Sequence, residues 1–293
     1  MHPKSIMRIA RRCLKLGIGL ATGTMLAALS TPALRADDTL PRVRPDVVYG
    51  HKDGMALTMD VIEPKANRKG IALMFMVSGG WVSTWMPVET MAGLFQPLSD
   101  EGYTIIAIRH GSSPKYVIPE IVEDVRKALT HVHEHASEWQ IDPKKLGVFG
   151  FSAGGHLSLM LGTTANDKAS DGDGPKIAAV AAVFPPTDLA PYKTPDNPLQ
   201  EQFPALKFDS KKTDDYSPLK QVSKVDAPTL LVHGDKDELV PLWHSEKIDA
   251  AFNEIGVPSK LVVIKGAAHG FNADGNKVMF NSMLDWFRQH LTP

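Results

Sequence analysis

Ser152 is the residue with the clearest chemical signature in the sequence. It lies in Gly-Phe-Ser-Ala-Gly (150–154), between a short apolar run and an apolar helical pattern. A tight turn from strand to helix, with small residues on both sides of a serine, exposes the hydroxyl in a strained conformation. The sequence therefore predicts that Ser152 is a nucleophile, with a plain glycine-rich turn as the alternative.

A serine nucleophile needs a general base, because its free hydroxyl is a weak nucleophile. His269 lies in a loop of small residues (265–270) directly after a predicted strand, and loops at the carboxyl ends of parallel strands are where open α/β sheets gather their sites. We expect His269 to be this base, the alternative being a solvent-exposed loop histidine. His156, on the helix after Ser152, is expected to pack or to support the site.

The base must in turn be oriented by a buried carboxylate. Asp237 follows a strongly apolar run in His-Gly-Asp-Lys-Asp (233–237) and is the preferred candidate. Asp235, two residues earlier, competes with it for this role. Asp188, which follows another predicted strand, is a lesser candidate.

The tetrahedral intermediate of acyl transfer needs N–H donors aimed at its oxygen. A Gly-Gly-Trp sequence follows the first long apolar run. We expect the backbone N–H groups of Gly79, Gly80 and Ala153 to form this oxyanion hole, with the N–H of Trp81 as a possible substitute. Trp81 and Trp85 are candidates for lining a substrate pocket, although ordinary aromatic packing is equally consistent with their positions.

Metal chemistry has little support in the sequence. His131 and His135 are one helical turn apart and could in principle share a metal ion, but no further ligand accompanies them, which favours a solvated helix face. The single cysteine, Cys13, lies near the N-terminus, so the rest of the chain has no thiolate ligand or cysteine nucleophile. We expect no metal and no cofactor.

The elements that must position these residues form a regular pattern. From residue 46 onward, short apolar runs alternate with longer helical patterns, which predicts an α/β fold with a mostly parallel central sheet and helices on both faces. An Asp-Gly pair between runs 47–49 and 57–62 predicts an antiparallel strand pair at the start. The other predicted strands are 71–77, 104–108, 146–149, 177–184, 229–232 and 261–264, and the predicted helices are 88–101, 119–139, 153–164, 242–255 and 277–291.

The alternation stops at residues 185–224, which contain seven prolines. A segment of this length between two strands is usually a functional loop or an insertion over a site. It is too short to have a core of its own. We therefore expect one catalytic domain over residues 37–293, with a loop-rich insertion at about 185–224.

Residues 1–36 have the layout of a secretory signal peptide, with a basic start, an apolar run at 16–29 and small residues before an acidic pair. The run is shorter than the roughly 20 residues of a membrane span, and no later stretch approaches that length. We expect export to the periplasm or the exterior, with an uncleaved anchor as the alternative and Arg11-Arg12 as a weak signal for twin-arginine export. Beyond this segment 33 acids outnumber 26 bases, which argues against a nucleic-acid partner.

Four motifs in sequence order resemble the α/β-hydrolase superfamily: Ser-Gly-Gly-Trp (78–81), Gly-Phe-Ser-Ala-Gly-Gly-His (150–156), His-Gly-Asp-Lys-Asp (233–237) and His-Gly-Phe (269–271). The chain is similar to its esterase/lipase branch, which includes dienelactone-hydrolase-like and acetylxylan- or feruloyl-esterase-like proteins. The resemblance extends over about residues 46–291 and implies a Ser152, Asp237 and His269 triad in the usual chain order. Relatives commonly have His-Gly-Gly-Gly where this chain has Val-Ser-Gly-Gly. The resemblance therefore leaves the identity of the oxyanion donors undetermined by one position.

This resemblance, together with the export signal, implies a serine esterase acting on short acyl esters, including acetyl or feruloyl groups on carbohydrate. Peptidases of the prolyl-oligopeptidase type use the same triad and are the alternative, although they usually have a large upstream propeller domain. A non-catalytic binding module on a hydrolase scaffold is the third hypothesis. A long-chain lipid substrate is not expected, because the insertion is rich in charged residues and proline.

Overall fold

The computed structural model of the protein describes residues 42–168, 174–194 and 197–292. The predicted signal peptide, residues 1–36, lies outside the described residues. The strands are β1 (Val43–Lys52), β2 (Met55–Ile62), β3 (Ala72–Met76), β4 (Thr104–Ile108), β5 (Leu146–Phe151), β6 (Ala179–Val183), β7 (Thr229–Gly234) and β8 (Ser259–Ile264). The helices are α1 (Val88–Leu94), α2 (Gln96–Asp100), α3 (Ile118–Glu134), α4 (Ala153–Lys168), α5 (Pro198–Gln202), α6 (Trp243–Ile255) and α7 (Ala273–Leu291).

The eight strands form one sheet in the order β1-β2-β4-β3-β5-β6-β7-β8. Strand β2 pairs antiparallel with β1 and β4, whereas all other pairs are parallel. The β1–β2 turn has positive φ at both Asp53 (49°) and Gly54 (78°), as a two-residue hairpin turn of type I′ requires. The predicted mostly parallel sheet with an antiparallel N-terminal pair is confirmed.

Helices cover both faces of the sheet because alternate strand residues point to opposite cores. In β4, Ile106 belongs to the core beneath α3 and α4, whereas its neighbour Ile105 belongs to the core beneath α1 and α7. All five residues of β4 are buried, which explains its continuous apolar sequence.

Several helices have bounds that differ from the predicted ones: the segment predicted as one helix over 119–139, for example, is α3 followed by a 3-10 turn over Ala136–Trp139. Local structure explains two further differences. The segment predicted as one helix over 88–101 is divided at Phe95 (φ −108°, ψ 19°), and Pro97 lies in the first turn of α2. Proline has no N–H for the carbonyl four residues earlier, so it starts a new helix and does not continue the old one. Helix α7 begins four residues before its predicted start because Asn272 caps it, accepting a hydrogen bond from Gly275 N–H at 2.9 Å.

Between β6 and β7, the described residues of 185–224 contain α5 and five 3-10 turns but no strand. Tyr192, Ala205 and Leu206 of this insertion are buried and join the core beneath α4. The insertion is thus packed onto the domain above the carboxyl end of the sheet. No helix in the part of the chain that the structure describes is long and apolar enough to cross a membrane.

Candidate active site

Ser152 occupies a sharp turn between β5 and α4. Its φ is 52°, a left-handed value that costs energy for any residue other than glycine, and its N–H donates to the Val183 carbonyl at 2.9 Å. A Cβ on Gly150 would lie 2.4 Å from the backbone of Gly154, and one on Gly154 would lie 2.6 Å from the Met76 carbonyl oxygen. The turn is therefore possible only with glycine on both sides of the serine.

Three residues from three strand ends meet in one hydrogen-bonded series. The Ser152 hydroxyl lies 2.9 Å from Nε2 of His269, and Nδ1 of His269 lies 2.7 Å from Oδ2 of Asp237. The Asp237 side chain is fully buried, whereas that of His269 is 20% exposed. This geometry allows the imidazole to take a proton from the serine while the carboxylate fixes its tautomer.

Asp237 is held as an anion by the groups around it. Its Oδ1 accepts from the backbone N–H groups of Leu239 (3.0 Å) and Val240 (2.9 Å). Burial alone would raise the pKa of Asp237, but the hydrogen bonds from His233, His269 and Val240 hold it well below its usual value. The charge that an imidazolium would need is therefore in place before any reaction.

His233 is a site residue to which the sequence analysis gave no role. Its Nε2 lies 2.7 Å from the Val240 carbonyl and 3.2 Å from Oδ2 of Asp237, and its Nδ1 lies 2.8 Å from Oγ of Ser245. Because both groups facing Nε2 are acceptors, Nε2 must have the proton, and Nδ1 accepts from the Ser245 hydroxyl. The sequence signal for this residue was its place in the His-Gly pair (233–234) that precedes the acidic loop containing Asp237.

The two competing aspartates have other partners. Asp235 accepts a hydrogen bond from Gly266 N–H at 2.5 Å and so ties the β7 loop to the loop before His269. Asp188 accepts from Ala190 N–H at 3.0 Å. Among the hydrogen bonds of the described residues, neither carboxylate reaches His269. The structure thus brings Asp237, and neither Asp235 nor Asp188, to the histidine.

The predicted oxyanion donors need one correction. The N–H of Gly79 already donates to the Val82 carbonyl at 3.0 Å, in a small antiparallel bridge, so it is not free for a substrate. Within the described part of the chain, the N–H groups of Gly80, Trp81 and Ala153 have no partner. These three N–H groups, and not that of Gly79, are therefore available to a substrate oxygen beside Ser152.

A small cleft with a volume of about 30 Å³ lies beside Ser152. Trp81, which is only 4% exposed, lines this cleft. Trp85 does not line the cleft: it is 61% exposed and lies in a separate surface groove with Pro45 and Pro87. The remaining lining is almost entirely apolar and comes mainly from the insertion: Gly80, Pro186, Tyr192, Leu199, Phe203, Leu206, Leu239 and Val240.

His156 is fully buried one turn into α4. The indole N–H of Trp81 donates to its Nδ1 at 3.3 Å, and its Nε2 lies 2.8 Å from the Tyr216 carbonyl. His131 and His135 instead stack on each other with ring centroids 4.0 Å apart. Among the described residues, no cluster of three or more histidine, cysteine or acidic side chains is placed to hold a metal ion.

Comparison with known proteins matches the chain to a family model, to curated relatives and to a solved structure. The family model described as BD-FAE matches residues 59–252. Esterase LipC of Mycobacterium tuberculosis (strain ATCC 25618 / H37Rv) is 26% identical over 244 residues, which are 77% of this chain and 59% of LipC. The uncharacterized peptidase YuxL of Bacillus subtilis (strain 168) is 27% identical over 265 residues, which are 84% of this chain and 39% of YuxL.

A solved structure described as a truncated form of carbohydrate esterase from gut microbiota superposes with a TM-score of 0.74 at 26% identity, covering 88% of this chain and 99% of that one. The chain thus spans nearly all of this structural neighbour. It spans only 59% and 39% of the two curated relatives.

Proposed function

Because the chain belongs to the BD-FAE family, we propose that it is a serine carboxylic-ester hydrolase in which Ser152, His269 and Asp237 form the catalytic triad. The observation that carries this proposal is the continuous hydrogen-bonded series from the Ser152 hydroxyl through His269 to Asp237. The neighbours with esterase in their names support the same reaction class.

The proposed reaction has two halves. Oγ of Ser152 attacks the ester carbonyl while Nε2 of His269 takes its proton, and the oxygen of the tetrahedral intermediate receives N–H donors from Ala153 and from Gly80 or Trp81. The C–O bond to the alcohol then breaks as His269 returns the proton to the leaving oxygen. Water, deprotonated by His269, attacks the acyl-enzyme. The bond between the acyl carbon and Oγ of Ser152 then breaks as His269 returns this proton to Oγ, which releases the acid and the free serine.

The cleft beside Ser152 favours a short, uncharged acyl group. Its volume of about 30 Å³ is well below that of sites for drug-sized ligands, and its lining residues have no charged side chain. We therefore propose acetyl and similar groups as the acyl part, ahead of the larger feruloyl group. A carbohydrate alcohol is supported by likeness to the gut-microbiota carbohydrate esterase.

Peptide hydrolysis is the second candidate, since the relative YuxL is described as a peptidase and the same triad can cleave amides. The two functions are separated by comparing p-nitrophenyl acetate with peptidyl p-nitroanilides. Preference for the acetate supports the esterase. A higher kcat/KM for the anilides would favour a peptidase over an esterase.

The purified chain should hydrolyse p-nitrophenyl acetate, and Ser152→Ala should lose activity by several orders of magnitude, about 10³-fold or more, because the nucleophile is removed. Ser137→Ala is the matched control, since Ser137 is an exposed serine in the 3-10 turn that follows α3. A Ser152→Ala protein as active as the control would contradict the proposed nucleophile.

The saccharide part of the proposal needs its own panel. Acetylated and feruloylated xylooligosaccharides would be compared at equal concentration with p-nitrophenyl acetate as the reference. We expect release of acetate to be faster than release of ferulate. Simple alkyl acetates are measured beside the saccharides. Equal rates for the acetylated saccharides and the alkyl acetates would contradict the proposal that the alcohol part of the substrate is a carbohydrate.

We also propose that the protein is exported, on the strength of the basic start and apolar run within residues 1–36. Fractionation of a bacterial host, followed by N-terminal sequencing of the product, tests this proposal. A shortened chain outside the cytoplasm supports it, and a full-length chain retained in the cytoplasm contradicts it.

A further inference from the structure

Trp81 has a backbone conformation that needs support from its surroundings. Its φ of 59° is left-handed, which is rare for a bulky side chain and persists only where neighbouring groups hold it. Its N–H is one of the free donors beside Ser152. The direction of this N–H therefore depends on whatever fixes the tryptophan.

Two contacts fix Trp81. Its carbonyl accepts a hydrogen bond from Ser113 N–H at 3.1 Å. Its indole N–H donates to Nδ1 of His156 at 3.3 Å, with the two rings edge to face and 5.6 Å between centroids. The side chain is thus anchored to helix α4, the helix that begins at the nucleophile turn.

The protonation state of His156 follows from its partners. An indole nitrogen can only donate, so Nδ1 must be unprotonated, and the Tyr216 carbonyl can only accept, so Nε2 must have the hydrogen. His156 is therefore a neutral bridge with one defined tautomer. It joins the loop that contains Gly80 and Trp81, here called the oxyanion loop, to the insertion, where Tyr216 ends one of the 3-10 turns.

The bridge joins the two segments that supply the oxyanion donors. His156 N–H donates to the Ser152 carbonyl at 2.9 Å, so the imidazole lies in the same helical turn as Ala153. A second hydrogen bond links the same two segments: Gly154 N–H donates to the Ser78 carbonyl at 3.2 Å. Together they set the separation between the Ala153 donor and the Gly80-Trp81 donor.

We propose that His156 is a positioning residue of the esterase reaction: by bridging the Trp81 indole to the Tyr216 carbonyl, it holds the oxyanion loop in register with Ala153. This inference rests on the proposed function. It also assigns the insertion a role in catalysis beyond forming the cleft wall, because the carbonyl that orients His156 belongs to it.

Three substitutions test the bridge. His156→Leu removes both hydrogen bonds at similar volume, whereas His156→Gln can still accept from the indole and donate to the carbonyl. Trp81→Phe removes the indole N–H but keeps the backbone N–H. We expect His156→Leu and Trp81→Phe each to lower kcat for p-nitrophenyl acetate by about 10- to 100-fold, with much smaller changes in KM, because the ground-state ester does not use the oxyanion hole.

The double variant and a tetrahedral ligand separate positioning from packing. His156→Leu combined with Trp81→Phe should be no worse than His156→Leu alone, since Trp81→Phe removes a bond that His156→Leu has already removed. The affinity for phenylboronic acid, which forms a tetrahedral adduct on an active serine, should fall in parallel with kcat. His156→Gln should recover most of both. Leu159→Ala on the same helix is the control: Leu159 is fully buried in the core, so Tm should fall while kcat stays unchanged.

Each outcome decides the proposal. A kcat that is unchanged in Trp81→Phe, or losses that multiply in the double variant, would overturn the bridge and leave the esterase proposal intact. If His156→Leu does not fold, Trp81→Phe and His156→Gln still give the answer. A wild-type chain without Ser152-dependent esterase activity would overturn the proposed function and this inference with it.

Discussion

Asp237 is surrounded by four N–H donors, from Leu239, Val240, His233 and His269. Its lowered pKa means that the folded protein stabilises the ionised carboxylate. The resulting stability is fully present above the pKa of an unfolded aspartate and is lost only as pH falls through the lower folded value. The carboxylate therefore stays charged throughout the pH range in which His269 could act as a base.

Asp237→Asn should lower kcat by about 10⁴-fold, because an amide facing Nδ1 of His269 no longer fixes the required tautomer. The rate of p-nitrophenyl acetate hydrolysis measures this effect. Asp235→Asn is the matched control, since Asp235 bonds to Gly266 N–H and not to the histidine. A larger loss in Asp235→Asn than in Asp237→Asn would reverse the assignment of the acid.

At the residue scale, the motifs predicted that Ser152, His269 and an aspartate after β7 come together, because each follows a strand at the same edge of the sheet. They favoured Asp237 but left Asp235 as a competitor. Motif spacing could not show that Gly79 N–H is already bonded to Val82. That pairing depends on a local bridge with no sequence signature. The role of His233 was likewise hidden, since its partners Val240 and Ser245 are brought to it only by the fold.

At the scale of elements, the nucleophile turn depends on close packing between β3 and α4. Gly154→Ala would place a methyl group 2.6 Å from the Met76 carbonyl oxygen, which is backbone and cannot move aside. We expect a loss of about 1–3 kcal/mol in the free energy of unfolding, together with lower esterase activity.

Urea unfolding measures the stability change, with Gly93→Ala in α1 as the control. A Cβ on Gly93 would meet nothing within 4 Å, so this change should be neutral or stabilising by up to about 1 kcal/mol. Equal effects of the two substitutions would show that packing at the turn is looser than the structure indicates.

The insertion forms the outer wall of the cleft. Ring carbons of Phe203 lie 2.9 and 3.0 Å from where a Cβ of Gly80 would be, and the half-buried ring lines the cleft together with Leu199 of helix α5. Phe203→Ala should open the cleft, so that the kcat/KM ratio of p-nitrophenyl hexanoate to acetate rises by at least about tenfold.

Trp85→Ala is the control for this change, because Trp85 is exposed and lies outside the cleft. Its chain-length profile should match that of the wild type. An unchanged profile in Phe203→Ala would show that the acyl group does not contact this wall.

The strands were more predictable than the helix ends. Continuous apolar runs such as β4 can only be buried on both faces of a sheet, and the predicted and observed bounds of β4 are identical, Thr104–Ile108. The break at Phe95 and the cap at Asn272 depend on local hydrogen bonds that compete with hydrophobic periodicity. The path of the insertion depends on side chains packing onto the finished domain, which periodicity does not encode.

For the whole molecule, three buried histidines should make stability depend on pH. Burial lowers the pKa of His110 and His156 to about 4 and that of His244 to about 3. An unfolded histidine takes up a proton below about 6.5, so between these values the unfolded state binds more protons. Stability therefore falls as pH decreases through this range.

Urea unfolding between pH 7 and pH 4.5 should show a loss of up to about 1.4 kcal/mol per pH unit for each histidine. His156→Gln should reduce the slope of the unfolding free energy against pH by up to about 1.4 kcal/mol per pH unit, which corresponds to one proton, because glutamine does not titrate. Stability that is constant or rises toward pH 4.5 would show that these side chains are protonated in the folded protein.

The central claim is that Ser152 is the nucleophile, and trapping the acyl-enzyme tests it most directly. The reaction with p-nitrophenyl acetate would be quenched with acid during the first turnover, and the digested protein analysed by mass spectrometry. The account predicts one acetyl group on the peptide that contains Ser152, and none on that peptide in Ser152→Ala. An acetyl group on another residue, with turnover retained in Ser152→Ala, would contradict it.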